Sequence, residues 1–495
     1  MLISSEVASI LPFDAAAEKT VSTSLTLMPH LVSERSLAGA TKELAQSTKA
    51  RFTTGHVPVM ETVAMPKQGL GPRPIGLLSP EARTLYEGLV ESLKSGLPSP
   101  SRDRDMDAHN EFGIDRGEAD DVLLVDFDIA ACYEYINHEV LTNELLLQTL
   151  NEKPISALGS LLGDVFPRGV GIPQAMECSH LLADAYLNQL ERGLVRAGYQ
   201  VDRYADDFRV ISASWGEAHE AIERAVEIAR GIGLVLADGK TKIRSARQVR
   251  REKIDRESAF QRYRDSAADE LSSIEHVRVG YDDFDVVLTE ADDDDVDFAA
   301  LSEVVKDWAV KESGERGIYT FYGTRALKVL TSAPNRINDD WLSAIAQREP
   351  IRLFNIAKYV TGRDEVDENW STLAQLTLMP RQSPWARLWM LNLGNSFESG
   401  WTSAESTVIE WAVGLLDDRF ESVRAEAAWF LAMRQRLTSD RLGELYVAAT
   451  DVTRIGLAAC AGKLDAAKPT NVGKALRADS ALTKPAFEWG ASFAG

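Results

Sequence analysis

The sequence predicts an α+β domain followed by an all-α domain of stacked helix pairs, and three observations predict it. Residues 200–204 and 208–212 are β-rich runs flanking Ala-Asp206-Asp207, which reads as a hairpin with acids at its tip. Residues 122–129, Val-Leu-Leu-Val-Asp126-Phe-Asp128-Ile129, read as an apolar strand that finishes in acids. From about Trp341 onward the pattern is helical and rich in Trp, Leu and Ala.

Adjacent carboxylates on a rigid turn repel each other unless something neutralises them. A divalent cation is the usual neutraliser, and Mg²⁺ favours one or two protein carboxylates together with phosphate oxygens. An isolated Asp-Asp pair reads as a solvated turn, so the rest of the chain has to decide.

At 495 residues the chain exceeds a single core, and two or three domains are expected. No apolar run reaches membrane-spanning length. No basic segment followed by an apolar stretch opens the chain, so a cytoplasmic location is expected. Cys132, Cys178 and Cys460 are few and widely spaced, which argues against a disulfide framework or a zinc site. The net charge of −21 is spread over both halves. Indiscriminate duplex binding depends on neutralising phosphates, so nucleic-acid contact is expected only at local basic patches.

In chain order, residues 1–50 read as helical. Residues 66–75, Pro-Lys67-Gln-Gly-Leu-Gly-Pro-Arg73-Pro-Ile, read as a loop or hairpin with a cation on either side. Such a pair can grip a triphosphate or simply flank a solvated turn. Ser79 and Pro80 then cap and open a helix through Leu93. Residues 102–121 are charged and irregular. The apolar strand follows and leads into Ala-Ala-Cys-Tyr133 and a helix. Gly-Val-Gly-Ile-Pro-Gln174 is a loop before a helix over 179–191, and a helix over about 217–228 follows the acidic hairpin.

Residues 240–256 hold Lys240, Lys242, Arg244, Arg247, Arg250, Arg251, Lys253 and Arg256, the strong basic cluster of the chain and a candidate phosphate-backbone contact. Residues 282–297 reverse the sign, with Asp292 to Asp295 consecutive. They lack the spacing and glycine of a calcium loop and read as a solvated loop and domain boundary. In the tail, three segments around Arg387, Arg424 and Arg454 resemble one another at irregular intervals. Stacked helix pairs of HEAT type, or a plain bundle, would give that pattern.

The order of these pieces is specific: a Lys/Arg hairpin, a strand ending at Asp128 with an aromatic five residues on, Gly-Ile-Pro-Gln, Tyr-Ala-Asp-Asp, then Gly-Lys-Thr. Over about residues 60–245 this resembles the fingers and palm of reverse transcriptases. The resemblance implies an α+β right-hand polymerase fold with an N-terminal segment and fingers over 1–120 and a palm over 121–250. A thumb or connector over 251–340 and a HEAT-like helical-repeat domain over 341–495 complete the expected organisation.

The resemblance also implies roles. Asp128, Asp206 and Asp207, with the backbone carbonyl of Ile129, would hold two Mg²⁺ (or Mn²⁺) ions for in-line phosphoryl transfer. Lys67 and Arg73 would clamp a dNTP triphosphate, and Tyr133 would crowd the sugar 2′ position and exclude ribonucleotides. Gln174 would lie over nucleotide and template, and Lys240 would protonate pyrophosphate. Asp126 shares a strand face with Asp128 and is left as a candidate support for that ligand. One departure stands out: many relatives have Gly after Pro-Gln, and here Ala175 follows.

A palm followed by a long helical tail resembles the bacterial abortive-infection and defence-associated reverse transcriptases. That resemblance implies an antiphage DNA polymerase with an RNA template or a noncoding RNA, a DNA product, protein priming in some members, and homo-oligomers in others. A retron-like enzyme copying a dedicated noncoding RNA is the alternative. An idle polymerase fold on a helical scaffold fits poorly with five intact site residues.

Overall fold

A computed structural model describes the chain except residues 68–70, 115–121, 266–273, 279–283, 289–293, 311–315, 333–336, 364–365, 400–401, 468 and 494–495. Side chains of residues 256–257, 259–300, 311–321, 332 and 467 are also outside the description. The chain forms two compact units that interleave in sequence. One comprises Met1–Thr20, Thr41–Met60 and Leu78–Ile254; the other comprises Val21–Ala40, Glu61–Leu77 and Asp255–Gly495.

The first unit is built on a four-stranded antiparallel sheet in the order β4-β5-β3-β6. Its strands are β3 (Leu123–Asp128), β4 (Gln200–Tyr204), β5 (Asp207–Ser212) and β6 (Lys242–Ser245). The central pair is in register from Leu123 opposite Ser212 to Asp128 opposite Asp207. Val125, Phe127, Phe208 and Val210 are buried, and the Phe127 and Phe208 rings stack with centroids 5.0 Å apart. Helices Glu177–Arg196 and Trp215–Gly231 pack on the sheet. Ile114, Leu124, Ala246 and Val249 form a further apolar cluster against it. Alternation puts Leu124, Asp126 and Asp128 on one face of β3.

The hairpin is tighter than the sequence reading. β5 starts at Asp207 rather than Phe208, because Asp207 pairs with both Tyr204 and Asp128, leaving Ala205 and Asp206 as the turn. The stretch read as irregular holds one short helix, Met106–Glu111, whose first turn is capped by Asp105. The acidic stretch read as a loop is partly regular. It contains a strand, Phe284–Leu288, whose apolar residues pair with Ile274–Arg278, and Asp294 begins a helix, Asp294–Val310. Asp292 and Asp293 lie outside the described residues.

In the second unit, β1 (Met60–Pro66) and β2 (Pro72–Leu78), which overlap its boundary by one residue each, form a two-stranded sheet. Its remaining described elements are mostly helices. Pro384–Asn395 packs on Glu421–Met433, which packs on Arg454–Ala467. Arg387 pairs with Asp418, and the Arg424 guanidinium donates to the Asp418 carbonyl at 2.7 Å. Two early segments are bound into this helical array. The indoles of Trp385 and Trp389 donate to the Leu27 carbonyl at 2.7 and 3.0 Å. Glu61 of β1 accepts the N–H groups of Glu421 and Ser422 at 2.6 and 3.1 Å. Among the described residues no helix is long and apolar enough to cross a membrane.

Candidate active site

The sheet brings Asp128, at the end of β3, beside Asp207, at the start of β5, with Asp206 in the turn between β4 and β5. Asp128 is 5% exposed. Burial and the neighbouring Asp206 carboxylate push its carboxyl up to about 7, with Lys240 restraining the rise. Lys240 lies in the turn before β6, and its Nζ donates to Asp128 Oδ2 at 2.5 Å. Burial opposes the ammonium, yet the bond to Asp128 holds its pKa above the ordinary value. Asp128 Oδ1 and Asp206 Oδ1 are buried without a hydrogen-bond partner. Buried carboxylate oxygens left in this way carry a desolvation cost that a cation would relieve. The donor set is all oxygen, as Mg²⁺ requires. Among the described residues, no three or more His, Cys, Asp or Glu side chains are placed together as a metal site.

Asp126 has a different task. Arg209 Nε on β5 and Arg244 on β6 donate to its two oxygens at 2.6 and 2.5 Å. Burial would raise this carboxyl, but the two guanidinium groups outweigh it and hold the pKa below the ordinary value. It ties three strands together and has both oxygens engaged.

The same pairings divide the basic cluster. Lys240, Arg244 and Lys253 are held by Asp128, by Asp126 with Glu252, and by Glu111. Lys242 and Arg247 are exposed, and Arg256's side chain lies outside the described residues. The run is therefore not one open phosphate-binding patch: part of it closes the palm.

A network that sequence reasoning missed holds the acidic turn from behind. Ala205 has φ +56°, a left-handed conformation that costs a non-glycine residue about 1–2 kcal/mol. Ser101 Oγ accepts the Ala205 N–H at 2.9 Å and donates to Asp184 at 2.6 Å. Arg203, 1% exposed, donates to the Ala205 carbonyl, Asp184, Asn188 and Glu191 at 2.9, 2.5, 2.7 and 2.8 Å.

Tyr133 lies in the short helix Cys132–Tyr135, which follows Ala131 at φ +48°. Its carbonyl accepts the Ile172 N–H at 2.9 Å, and the Ile136 carbonyl accepts that of Gly171 at 2.8 Å. The Gly-Ile-Pro-Gln loop is thereby fastened to the segment after Asp128. Gln174 is half-buried in that loop, and Ala175 takes φ +65°, a conformation that glycine adopts without strain. Ile129 continues the strand in a bridge to Leu236, and the Asp128 carbonyl accepts the Ala237 N–H at 2.7 Å. Lys67, after β1, and Arg73, on β2, are half-buried and belong to the second compact unit. The first unit thus gathers Asp128, Ile129, Tyr133, Gln174, Asp206, Asp207 and Lys240.

Comparison with known proteins finds a family match over just under half of the chain. Residues 65–308 match the family described as "Reverse transcriptase (RNA-dependent DNA polymerase)". No curated protein matches the sequence. Among solved structures, telomerase from Candida albicans in complex with a fragment of telomeric RNA is 10% identical with a TM-score of 0.30. That match covers 78% of this chain and 65% of the telomerase chain. Telomerase from Candida tropicalis with the corresponding RNA fragment is 12% identical at a TM-score of 0.29, covering 75% and 67%. The apo Candida tropicalis enzyme is 11% identical at 0.30, covering 77% and 72%. The chain thus spans about two thirds or less of the first telomerase's length, and assignment rests on the family match alone. By that match, the chain carries a reverse transcriptase domain over residues 65–308.

Proposed function

We propose that the chain is an RNA-directed DNA polymerase whose reaction centre is formed by Asp128, Asp206 and Asp207. The single observation that carries this reading is the pairing of Asp128 with Asp207 beside the Asp206 turn, with buried, unpartnered oxygens on Asp128 and Asp206. These three acids and the Ile129 carbonyl would hold Mg²⁺, or Mn²⁺. When bound, the metal activates a 3′-hydroxyl or protein hydroxyl and neutralises charge on the leaving pyrophosphate.

The chain's own side chains supply the rest. Lys240, kept protonated by its bond to Asp128, is the candidate proton donor to pyrophosphate. Tyr133 closes the space at the sugar 2′ position and selects dNTPs. Gln174 contacts nucleotide and template, and Lys67 and Arg73 bind the triphosphate. Template RNA, dNTPs and a DNA product are the partners this reading requires.

The alternating packing of Pro384–Asn395, Glu421–Met433 and Arg454–Ala467 supports a HEAT-like repeat domain. A palm joined to such a tail supports an antiphage role.

Incorporation of dNTPs by wild-type protein and by Asp206→Ala/Asp207→Ala, in Mg²⁺ and in Mn²⁺, tests the chemistry. Loss in the variant supports it, and equal incorporation by the two proteins rules it out. Phage plating on cells carrying each form tests the antiphage role, which fails if the active-site variant protects as well as wild type.

A further inference from the structure

The Tyr133 hydroxyl lies 2.6 Å from Nδ1 of His180, and the two rings meet edge to face with centroids 5.9 Å apart. Tyr133 comes from the segment after β3, whereas His180 comes from the first turn of Glu177–Arg196. Both line a small cavity that also contains Arg102, Asp184 and Asp206. This cavity places the pair beside the reaction centre.

Both members of the pair are held neutral. Burial, with Arg102 nearby, holds the imidazole down at about 3. Burial likewise pushes the Tyr133 hydroxyl well above its ordinary value. A neutral imidazole accepts at one nitrogen and donates at the other, so Nδ1 either accepts the Tyr133 O–H or, in the other tautomer, donates to the Tyr133 oxygen, and the two side chains are joined either way. A tyrosine ring turns about two side-chain bonds. Fixing its hydroxyl at the far end therefore sets the ring's tilt.

We propose that His180 is a positioning residue for sugar selection, holding the Tyr133 ring where it meets the nucleotide 2′ position. This inference rests on the reading of Tyr133 as the sugar gate. A ring without its anchor can swing aside and admit a 2′-hydroxyl, so discrimination against ribonucleotides falls while the acids are untouched. His180 does not contact the nucleotide in this scheme; it acts through Tyr133.

The test compares dTTP with UTP in two ways. One is single-nucleotide addition on oligo(dT)-primed poly(rA) in Mg²⁺. The other, independent of primer, is stabilisation of the folded protein against heating by each nucleotide. The variants are Tyr133→Ala, Tyr133→Phe, His180→Ala and His180→Asn, whose side-chain amide can accept from or donate to the Tyr133 hydroxyl.

Tyr133→Phe and His180→Ala are each expected to lower the dTTP:UTP preference by about five- to tenfold, the scale of one lost hydrogen bond. In His180→Ala the loss should appear mainly as a lower KM for UTP, with kcat for dTTP little changed. The double variant should lose no more than either single one, and His180→Asn should restore most of the preference. Tyr133→Phe deletes a single oxygen, so it tests the bond even where His180→Ala fails to fold. Unchanged preference in Tyr133→Ala overturns the sugar-gate reading itself. Relaxed preference in Tyr133→Ala but wild-type preference in Tyr133→Phe and His180→Ala leaves that reading standing and overturns the role of His180.

Discussion

Ser101 Oγ accepts the backbone N–H of Ala205 at 2.9 Å, tying the segment after the helix Pro80–Glu91 to the residue immediately before Asp206. The serine has one proton, and Asp184 takes it. Asp184 is in turn bound by Arg203, which also holds the Ala205 carbonyl. Both backbone polar groups of a left-handed alanine are therefore satisfied by side chains, the N–H by Ser101 from outside the hairpin and the carbonyl by Arg203 on its first strand. That arrangement explains how an unfavourable turn persists beside a repelling pair of acids.

Ser101→Ala leaves the Ala205 N–H buried and unpaired, which costs about 1–3 kcal/mol. Urea unfolding should show that loss. Incorporation of dNTPs should fall as well, because Asp206 follows the released residue. A variant with wild-type stability and wild-type activity would show that the turn holds itself.

Lys240 tests the proton-donor assignment. Positioned general acids contribute about 10²–10⁴-fold to rate. Lys240→Gln is therefore expected to lower kcat for dNTP addition by about 10²-fold or more, with KM changing less. An effect confined to KM would make Lys240 a binding residue and Asp128's structural partner only.

His180 predicts a pH dependence of stability. Its folded pKa lies at about 3, below the ordinary 6.5. Below pH 6.5 the unfolded chain takes up a proton that the native state refuses. The contribution of neutral His180 is thus fully present above about pH 6.5 and is lost progressively as pH falls toward 3. The slope is at most about 1.4 kcal/mol per pH unit. Urea midpoints from pH 7.5 to 5 should fall less steeply in His180→Asn than in wild type. Parallel slopes would show that the imidazole protonates freely in the folded protein.

Glu61 caps the helix Glu421–Met433 from 360 residues away. The residue preceding that helix, Phe420, supplies no side-chain cap of its own. Glu61→Ala should lower stability by about 0.5–2 kcal/mol, the usual range for a lost cap. Glu61→Gln keeps an acceptor oxygen and should recover part of it. Hydrogen exchange at Glu421 and Ser422 locates the effect, and unchanged protection there would refute the cap.

Much of the site was legible because its signals are local. Period-two apolar residues announced β3 and the hairpin, and acids at strand ends announced where charge would gather. Asp206 and Asp207 stand together in the sequence, and Asp128 ends its own apolar run. The support around them was not legible. Ser101, Asp184 and Arg203 are 83 and 19 residues apart along the chain in their pairwise bonds, and each alone is an ordinary serine, aspartate or arginine. Asp126 was legible only as a candidate support for Asp128, because both lie on one strand face. Only the neighbours differ, with Arg209 and Arg244 opposite one and Lys240 opposite the other.

The sequence by itself determined the elements that carry chemistry: which strands end in acid and which loop precedes the helix of His180. Local alternation, turn residues and helical spacing are properties of short stretches, so no tertiary knowledge was needed. Only the tertiary structure decided which charges face each other. It brought Lys240 onto Asp128, set two arginines on Asp126, and fastened the Glu61 strand to a helix near the end of the chain. Whether a buried carboxylate is engaged or left with an unpaired oxygen depends on partners that folding brings close, and sequence distance carries no trace of them.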